Sequence, residues 1–496
     1  MKTFRKFALS FFVSTHSLHP KSSIRASQIE ATMEVKINSE ELIKPSSPTP
    51  QHLRTFKLSL FDHLIPVPFT PVIFFYPSNS EQAGPCLDVP QKLDLLKKSL
   101  SSTLTQLYPL AGKIRDDGLY VDCNDGGARL VEASVNMSLT PFLADPDLVL
   151  LNKLLPNHEF LIGEFPELTH PVNIQVNVFQ CGGIALGICN SHRLHDGTSE
   201  GVFLKEWTAI ARGSGGGSGS SRLAARDLLV AAELFPANDL WLRDSSKIMF
   251  NSMCKPGNSV TKRFMFTGPV IEALRARGKG PSAKNPTRVE AVTGLLWKCA
   301  MAVLERNNNG LRRPSVFTHL VNIRKRMNPP LPGPLGNFLW LAAAHYKFTT
   351  KSHDGTKDVL PYLVGELRGA ISKVDGEFLS GLRQDKSLIS SSLEKVLGVG
   401  LSEYGHGVDH FVCSSWCGFK SYDIDFGWGR PVWVSNIGMC MPMFLNWIFL
   451  VDTRSGDGIE AWVTMDEQDM ALLQEDPELC TFANVNPSPL TISSKL

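Results

Sequence analysis

Between residues 171 and 180 apolar and polar side chains alternate. Val172, Ile174, Val176 and Val178 fall on one face, Asn173, Gln175 and Asn177 on the other. Strict period-two alternation predicts a strand with one face on a core and one in solvent. Cys181-Gly182-Gly183 then supplies a turn, and Ile184, Leu186 and Ile188 begin a second strand, so the segment reads as a hairpin. The second strand runs into Ser191-His192-Arg193-Leu194-His195-Asp196-Gly197. Beyond it, Val202, Phe203, Trp207 and Ile210 recur at helical spacing and predict a helix to about Arg212. His192 is thereby placed at a strand exit, a rigid place to hold a reactive side chain, with Asp196 near the cap of the next helix.

The C-terminal half mixes both periods. Residues 288–304 are apolar at helical spacing, 316–322 read as a strand, and 432–451 are strand-rich. Ser455-Gly456-Asp457-Gly458 makes a tight hairpin turn, and 307–314 read as a surface loop. The run GSGGGSGSS at 213–221 cannot bury apolar surface and behaves as a flexible coil. It separates a helical pattern ending near Ala211 from another beginning near Leu223. A chain of 496 residues exceeds what one core usually serves. The reading is an N-terminal domain at 33–212, a crossover at 213–260 and a C-terminal domain at 261–496. Interleaved strands and helices predict an α/β or α+β class with mixed sheets.

Composition narrows the partners. A formal net charge of +2 with no basic stripe argues against nucleic acid, so an anionic ligand must meet a local basic patch. The ten cysteines are irregularly spaced, and Cys413 and Cys417 lack the second pair or clustered histidines that zinc requires. Reduced, buried thiols in a reducing compartment are expected. No run of 18 apolar residues predicts a membrane span. Residues 1–32 carry Lys2, Arg5, Lys6, Lys21 and Arg25 with no acidic residue before Glu30, the composition of a transit peptide. Translation starting at Met33 explains them equally well. The expected setting is cytoplasmic, or plastid if the leader is genuine.

Alone, the spacing of His192 and Asp196 is a weak signal, because a histidine bonded within a turn satisfies it too. Gly197-Thr198-Ser199-Glu200-Gly201 fits the GxSxG elbow of serine esterases, but that elbow needs a strand running directly into the serine. A metal on His192 and His195 lacks a third ligand. Longer motifs separate these readings. Residues 191–197 resemble the HxxxDG motif of the BAHD acyltransferases, and Asp425-Phe426-Gly427-Trp428-Gly429 is identical to their DFGWG signature. YPLAGK at 108–113, VDCNDG at 121–126, an arginine–proline loop at 322–332 followed by Gly336-Asn337, and DGIEAW at 457–462 resemble further family segments. The likeness runs from about Met33 to the C-terminus and is closest to the vinorine synthase-like branch of alkaloid and terpenoid O-acetyltransferases.

The resemblance implies two similar-sized domains of mixed sheet and helix, chloramphenicol-acetyltransferase-like, with a channel between them. Acyl-CoA, acetyl-CoA foremost, and an alcohol would enter from opposite faces and meet at His192, the general base. It implies no resident cofactor and no metal, and a monomer is expected. Asp196 becomes structural support paired with Arg324, and Asp425 an architectural residue at the channel edge. Ser414, Ser415 and Trp416 would line the CoA tunnel, with Thr287 and Arg288 near the nucleotide phosphates. Relatives acting on shikimate or quinate carry an arginine where this chain has Gly418. A carboxylate acceptor would lose its bidentate partner, so an uncharged or amine-bearing polycyclic alcohol fits better. His195 reads as an exposed turn residue. A non-catalytic small-molecule binder of the same fold remains the other reading.

Overall fold

The computed structural model describes residues 33–65, 69–78, 87–156, 170–213, 225–331, 335–347, 358–399, 407–438 and 443–490. The questions about residues 1–32 and about most of the glycine–serine run lie outside them. From the N-terminus come β1 (Val35–Ile43), β2 (Phe69–Tyr76), helix α1 (Val89–Gln106), β3 (Ala128–Val135), β4 (Asn173–Phe179), β5 (Ile184–Ser191) and helix α2 (Gly197–Ala211). Next are α3 (Ala225–Leu234) and α4 (Trp241–Met253), so the described part of the crossover is largely helical. The C-terminal half adds β6 (Ser259–Phe266), α5 (Arg288–Asn307), β7 (Ser315–Asn322), β8 (Leu339–Tyr346) and β9 (Asp409–Ser415). It ends with β10 (Trp433–Ser435), β11 (Asn446–Asp452), β12 (Ile459–Asp466) and β13 (Asn484–Val485).

Two mixed sheets result. The first has the order β1-β3-β4-β5-β2-β10, with β3 and β4 parallel. The second has the order β8-β7-β9-β11-β12-β6-β13, with β9 parallel to both neighbours. The class is the expected mixed α/β, but the halves interlock. Strand β10 comes from the C-terminal half and completes the N-terminal sheet beside β2, with Trp433 stacked on Phe75 at 5.1 Å. Trp416, Phe426 and Trp428 join the same N-terminal core. A further core packs Phe61 and Leu64 against β7, β8 and helix α4.

The hairpin β4–β5 forms where alternation placed it, pairing Ile174 with Ile188 and Val176 with Leu186. Its solvent face, however, does not exist. Asn173, Gln175 and Asn177 are all buried; the turn at Leu150–Leu154 lies across the last two, and Asn173 Nδ2 donates to His170 O at 2.8 Å. Gln175 Nε2 donates to Lys153 O at 3.0 Å, and Asn177 Nδ2 donates to Leu154 O at 2.8 Å and Ala185 O at 3.0 Å. Polar alternation marked a second buried layer, where side-chain amides satisfy the Lys153 and Leu154 carbonyls of the turn, which have no strand partner.

Replacing Asn177 with Ala strands the Leu154 carbonyl. Stability should fall by roughly 1–3 kcal/mol, read as a lower urea midpoint with an unchanged slope.

Candidate active site

Strand β5 ends at Ser191, whose carbonyl accepts from Leu194 N at 3.1 Å and His195 N at 3.2 Å. This tight turn carries His192 away from the sheet and delivers Asp196 to the N-cap of α2, where its side chain accepts from Ser199 N at 2.9 Å. Gly197 opens the helix because there is no room for more. A Cβ there would lie 2.2 Å from the ring of Phe419.

Asp196 is held from the opposite half of the molecule. Its other oxygen accepts from Arg324 Nη1 at 2.5 Å and Phe338 N at 2.9 Å. Arg324 also reaches Ser199 Oγ at 3.1 Å and Gly336 O at 2.9 Å, and its guanidinium covers the Phe338 ring at 4.7 Å. The two charged side chains are 3% and 0% exposed. Burial pushes the Asp196 carboxyl up, but Arg324 and the amides of Phe338 and Ser199 outweigh it and hold it below the ordinary carboxylate range. Both Asp196 oxygens are thus committed, and none of their bonds goes to His192.

A second set of residues, for which the sequence suggested no role, fixes His192 directly. Asn337 Nδ2 donates to the His192 carbonyl at 2.7 Å and to Asp62 Oδ1 at 2.8 Å. Asp62 also accepts from Asn337 N at 2.9 Å and from Ser59 N and Oγ, both at 2.7 Å. The signal for Asn337 was present in the Gly336-Asn337 pair. Asp62 had none beyond the Ser-x-x-Asp spacing of a capping box.

The His192 ring is partly exposed, but Nδ1 is sealed from solvent. Burial lowers its pKa below the ordinary 6.5, although its own backbone carbonyl, Asp196 and Asn337 pull the other way. His195 is not the exposed turn residue its polarity suggested. It is 1% exposed, lies edge-on to Phe203 at 6.1 Å, and burial pushes its pKa down to about 4. The turn at 191–196 folds it inward while leaving His192 at the rim. Among the described residues no group of three potential metal ligands forms around either ring.

Ser199 cannot be an elbow nucleophile. It sits in the first turn of α2, fully buried, and its hydroxyl donates to Gly336 O at 2.8 Å. Asp425 caps its own turn, accepting from Gly427 N at 2.7 Å and Gly429 N at 3.0 Å. Phe426 and Trp428 stack at 5.4 Å inside the N-terminal core, and Arg212 at the far end of α2 donates to the Asp425 carbonyl. The DFGWG segment is therefore a clamp on the helix that carries Asp196.

Ser414, Ser415 and Trp416 leave the end of β9, with Trp416 packed on Phe449 at 4.8 Å. Thr287 caps α5 in a reciprocal box with Glu290. Arg288 donates to Asp452 and to the carbonyls of Gly456 and Asp457, each at 2.9 Å. Asp452 also accepts from Gly418 N at 2.5 Å, so one carboxylate ties the start of α5 to the turn after Trp416. Gly418 has φ +87°, a conformation that side-chain-bearing residues adopt only with strain.

Substituting Arg324 with Met should cost about 3–5 kcal/mol, because Asp196 becomes an uncompensated buried charge. The double variant R324M/D196N should recover most of that loss in thermal or urea unfolding. The stability contributed by the depressed Asp196 pKa is present above the ordinary carboxylate value. It is lost only as pH falls through the lower folded value.

Comparison with known proteins gives the arrangement its context. The Transferase family model matches residues 33–480. An epi-neemfruitin B 7-O-acetyltransferase from Melia azedarach is 38% identical over 479 residues, covering 92% of this chain and 100% of the relative. A stemmadenine O-acetyltransferase from Catharanthus roseus is 34% identical over 448 residues, covering 89% and 97%. The crystal structure of vinorine synthase superposes with a TM-score of 0.72 at 34% identity, over 91% of this chain and 99% of that one. With both signatures in place and the match running nearly end to end, the chain belongs to the Transferase family, as a BAHD acyltransferase.

Proposed function

We propose that the protein moves an acetyl group from acetyl-CoA to a hydroxyl of a terpenoid or alkaloid, with His192 as general base in a ternary complex. The observation that carries this is one imidazole held at the rim of a loop that both halves of the chain immobilise, with its carboxylate neighbour turned away. The relatives named for limonoid-type and alkaloid O-acetylation support the acceptor class.

With Nδ1 sealed, Nε2 is the nitrogen left for the substrates. A ring whose pKa lies below 6.5 is neutral at cellular pH, but it is far too weak to ionise an alcohol in advance. Proton removal by Nε2 therefore accompanies attack of the hydroxyl oxygen on the thioester carbonyl. The tetrahedral intermediate collapses with loss of the CoA thiolate, which takes the proton back from His192. Holding both substrates against one ring supplies much of the remaining acceleration through proximity. We assign the CoA approach to the turn at Ser414, Ser415 and Trp416 and to the start of α5 at Thr287 and Arg288, which Asp452 joins. Gly418 presents no cation to the acceptor, in keeping with an uncharged or amine-bearing polycycle.

Every residue assigned to the site comes from one chain, in keeping with a monomer. No described helix is long and apolar enough to cross a membrane. Eight unpaired cysteines among the described residues suit a cytoplasmic setting.

Incubation with acetyl-, benzoyl- and coumaroyl-CoA against a panel of limonoid and alkaloid alcohols, read by mass spectrometry, tests the assignment; acetylated products should dominate. H192A should keep the fold and lose roughly 10²–10⁴-fold in kcat/KM. In wild type, the ionisation that abolishes turnover should lie below pH 6.5, since burial favours the neutral ring. S199A should cost stability yet retain turnover far above that of H192A; equal losses would restore the serine nucleophile.

A further inference from the structure

One buried carboxyl beside the active loop has no part in the mechanism above. Glu200 lies in the first turn of α2 and is 4% exposed. It faces Asn190, two residues before His192 on β5, whose Nδ2 donates to Oε2 at 2.9 Å and Oε1 at 3.2 Å. Asn190 is fully buried, and its Oδ1 has no partner. Directly across the β2–β5 pair from Asn190 is Thr70, whose hydroxyl is also buried and unpartnered. Cross-strand Cβ atoms sit about 5 Å apart, yet no hydrogen bond joins the two groups.

We infer that Glu200 is a positioning residue that sets the aim of His192 through Asn190, and that its state of ionisation is transmitted to the imidazole. This rests on His192 being the general base. Two complementary hydrogen-bond patterns are available. The carboxylate takes both bonds from Asn190 Nδ2, strapping the end of β5 to the start of α2 and leaving Oδ1 empty. The carboxylic acid instead donates its O–H to Oδ1 once the amide has turned over, so that one bond replaces the two. The strap from β5 to α2 spans the loop that bears His192, so exchanging one pattern for the other moves that loop.

The surroundings leave Glu200 free to titrate. Cys189 on β5 stays a thiol, its pKa pushed up to about 12 by burial and then by Glu200. Asp196, one helical turn back, is committed to Arg324. Thr70 on β2 carries no charge, and no described cation counters the carboxylate. Burial accordingly pushes Glu200 up to about 7, against a smaller opposing effect of Asn190. The imidazole ionises lower, so the two events are separable in pH.

The test uses the full-length protein and its isosteric variant E200Q, with near-ultraviolet circular dichroism verifying the fold. The first readout needs no substrate: the His192 ring resonance in histidine-labelled protein, assigned by its absence in H192A, followed from pH 5 to 9. Wild type should show an inflection near pH 7 besides the imidazole's own, and E200Q only the latter. The second readout is kcat/KM with acetyl-CoA and the best acceptor of the panel. Between pH 8 and pH 6 wild type should lose roughly three- to tenfold before its final descent, within the hundredfold that a 1 Å misplacement can cost. E200Q should be flat across that range. A single His192 inflection in wild type, or an upper inflection that persists in E200Q, overturns the proposal. Because the resonance is read without turnover, absence of acetyl transfer would count against the functional assignment alone.

Discussion

The ion pair between Arg324 and Asp196 is the contact on which the site depends, and its value is not chiefly stability. Removing two charges from water costs several kcal/mol for each, and a buried pair returns that only with near-ideal geometry. Here the geometry is over-determined. One Asp196 oxygen takes the Ser199 amide, the other takes Arg324 and the Phe338 amide, and Arg324 Nη2 reaches both Ser199 Oγ and Gly336 O. Apolar side chains of similar size would tolerate a slide of one half against the other. This arrangement would not, because a small displacement leaves charges buried and unpaired at once. The pair converts docking of the two halves into a single register.

That register has a chemical consequence. In a serine-protease triad the aspartate faces the histidine, fixes its tautomer and stabilises the imidazolium. Asp196 is spent elsewhere, so it acts on His192 only through its field, and burial wins. On the proposed mechanism the ring stays neutral where the enzyme works, ready to accept a proton but unable to take one early. Precision of placement has to replace basicity. The loop is accordingly fixed at its carbonyl by Asn337, at its helix end by Asp196, and at the far end of α2 by Arg212 on the Asp425 carbonyl.

The sequence carried the local part of this well. Alternation placed β4 and β5, helical spacing placed α2, and together they put His192 at the strand exit because each signal is read over neighbouring residues. It misjudged environment wherever burial is decided by distant chain. Gln175 and Asn177 looked solvent-facing because nothing local announces the turn at 150–154 that covers them. His195 looked exposed for the same reason. Arg324 stands 128 residues from Asp196, and only the family pattern connected them. Asp62 and Asn337 meet across 275 residues. No periodicity reports such a contact. The tryptophans of 416–433 read as C-terminal, yet they fill the N-terminal core because β10 crosses between the sheets.

The division of labour between the halves follows from where the partners lie. Residues 33–212 hold His192, Asp196, Ser199 and the strand and helix that present them. Arg324, Asn337 and Phe338, which give the loop its shape, all come from beyond the crossover. Without them the N-terminal half would bury a lone carboxylate at the helix cap, an arrangement that costs several kcal/mol and that a flexible turn would escape by opening. The geometry of the proposed base is therefore a property of the docked pair rather than of either half.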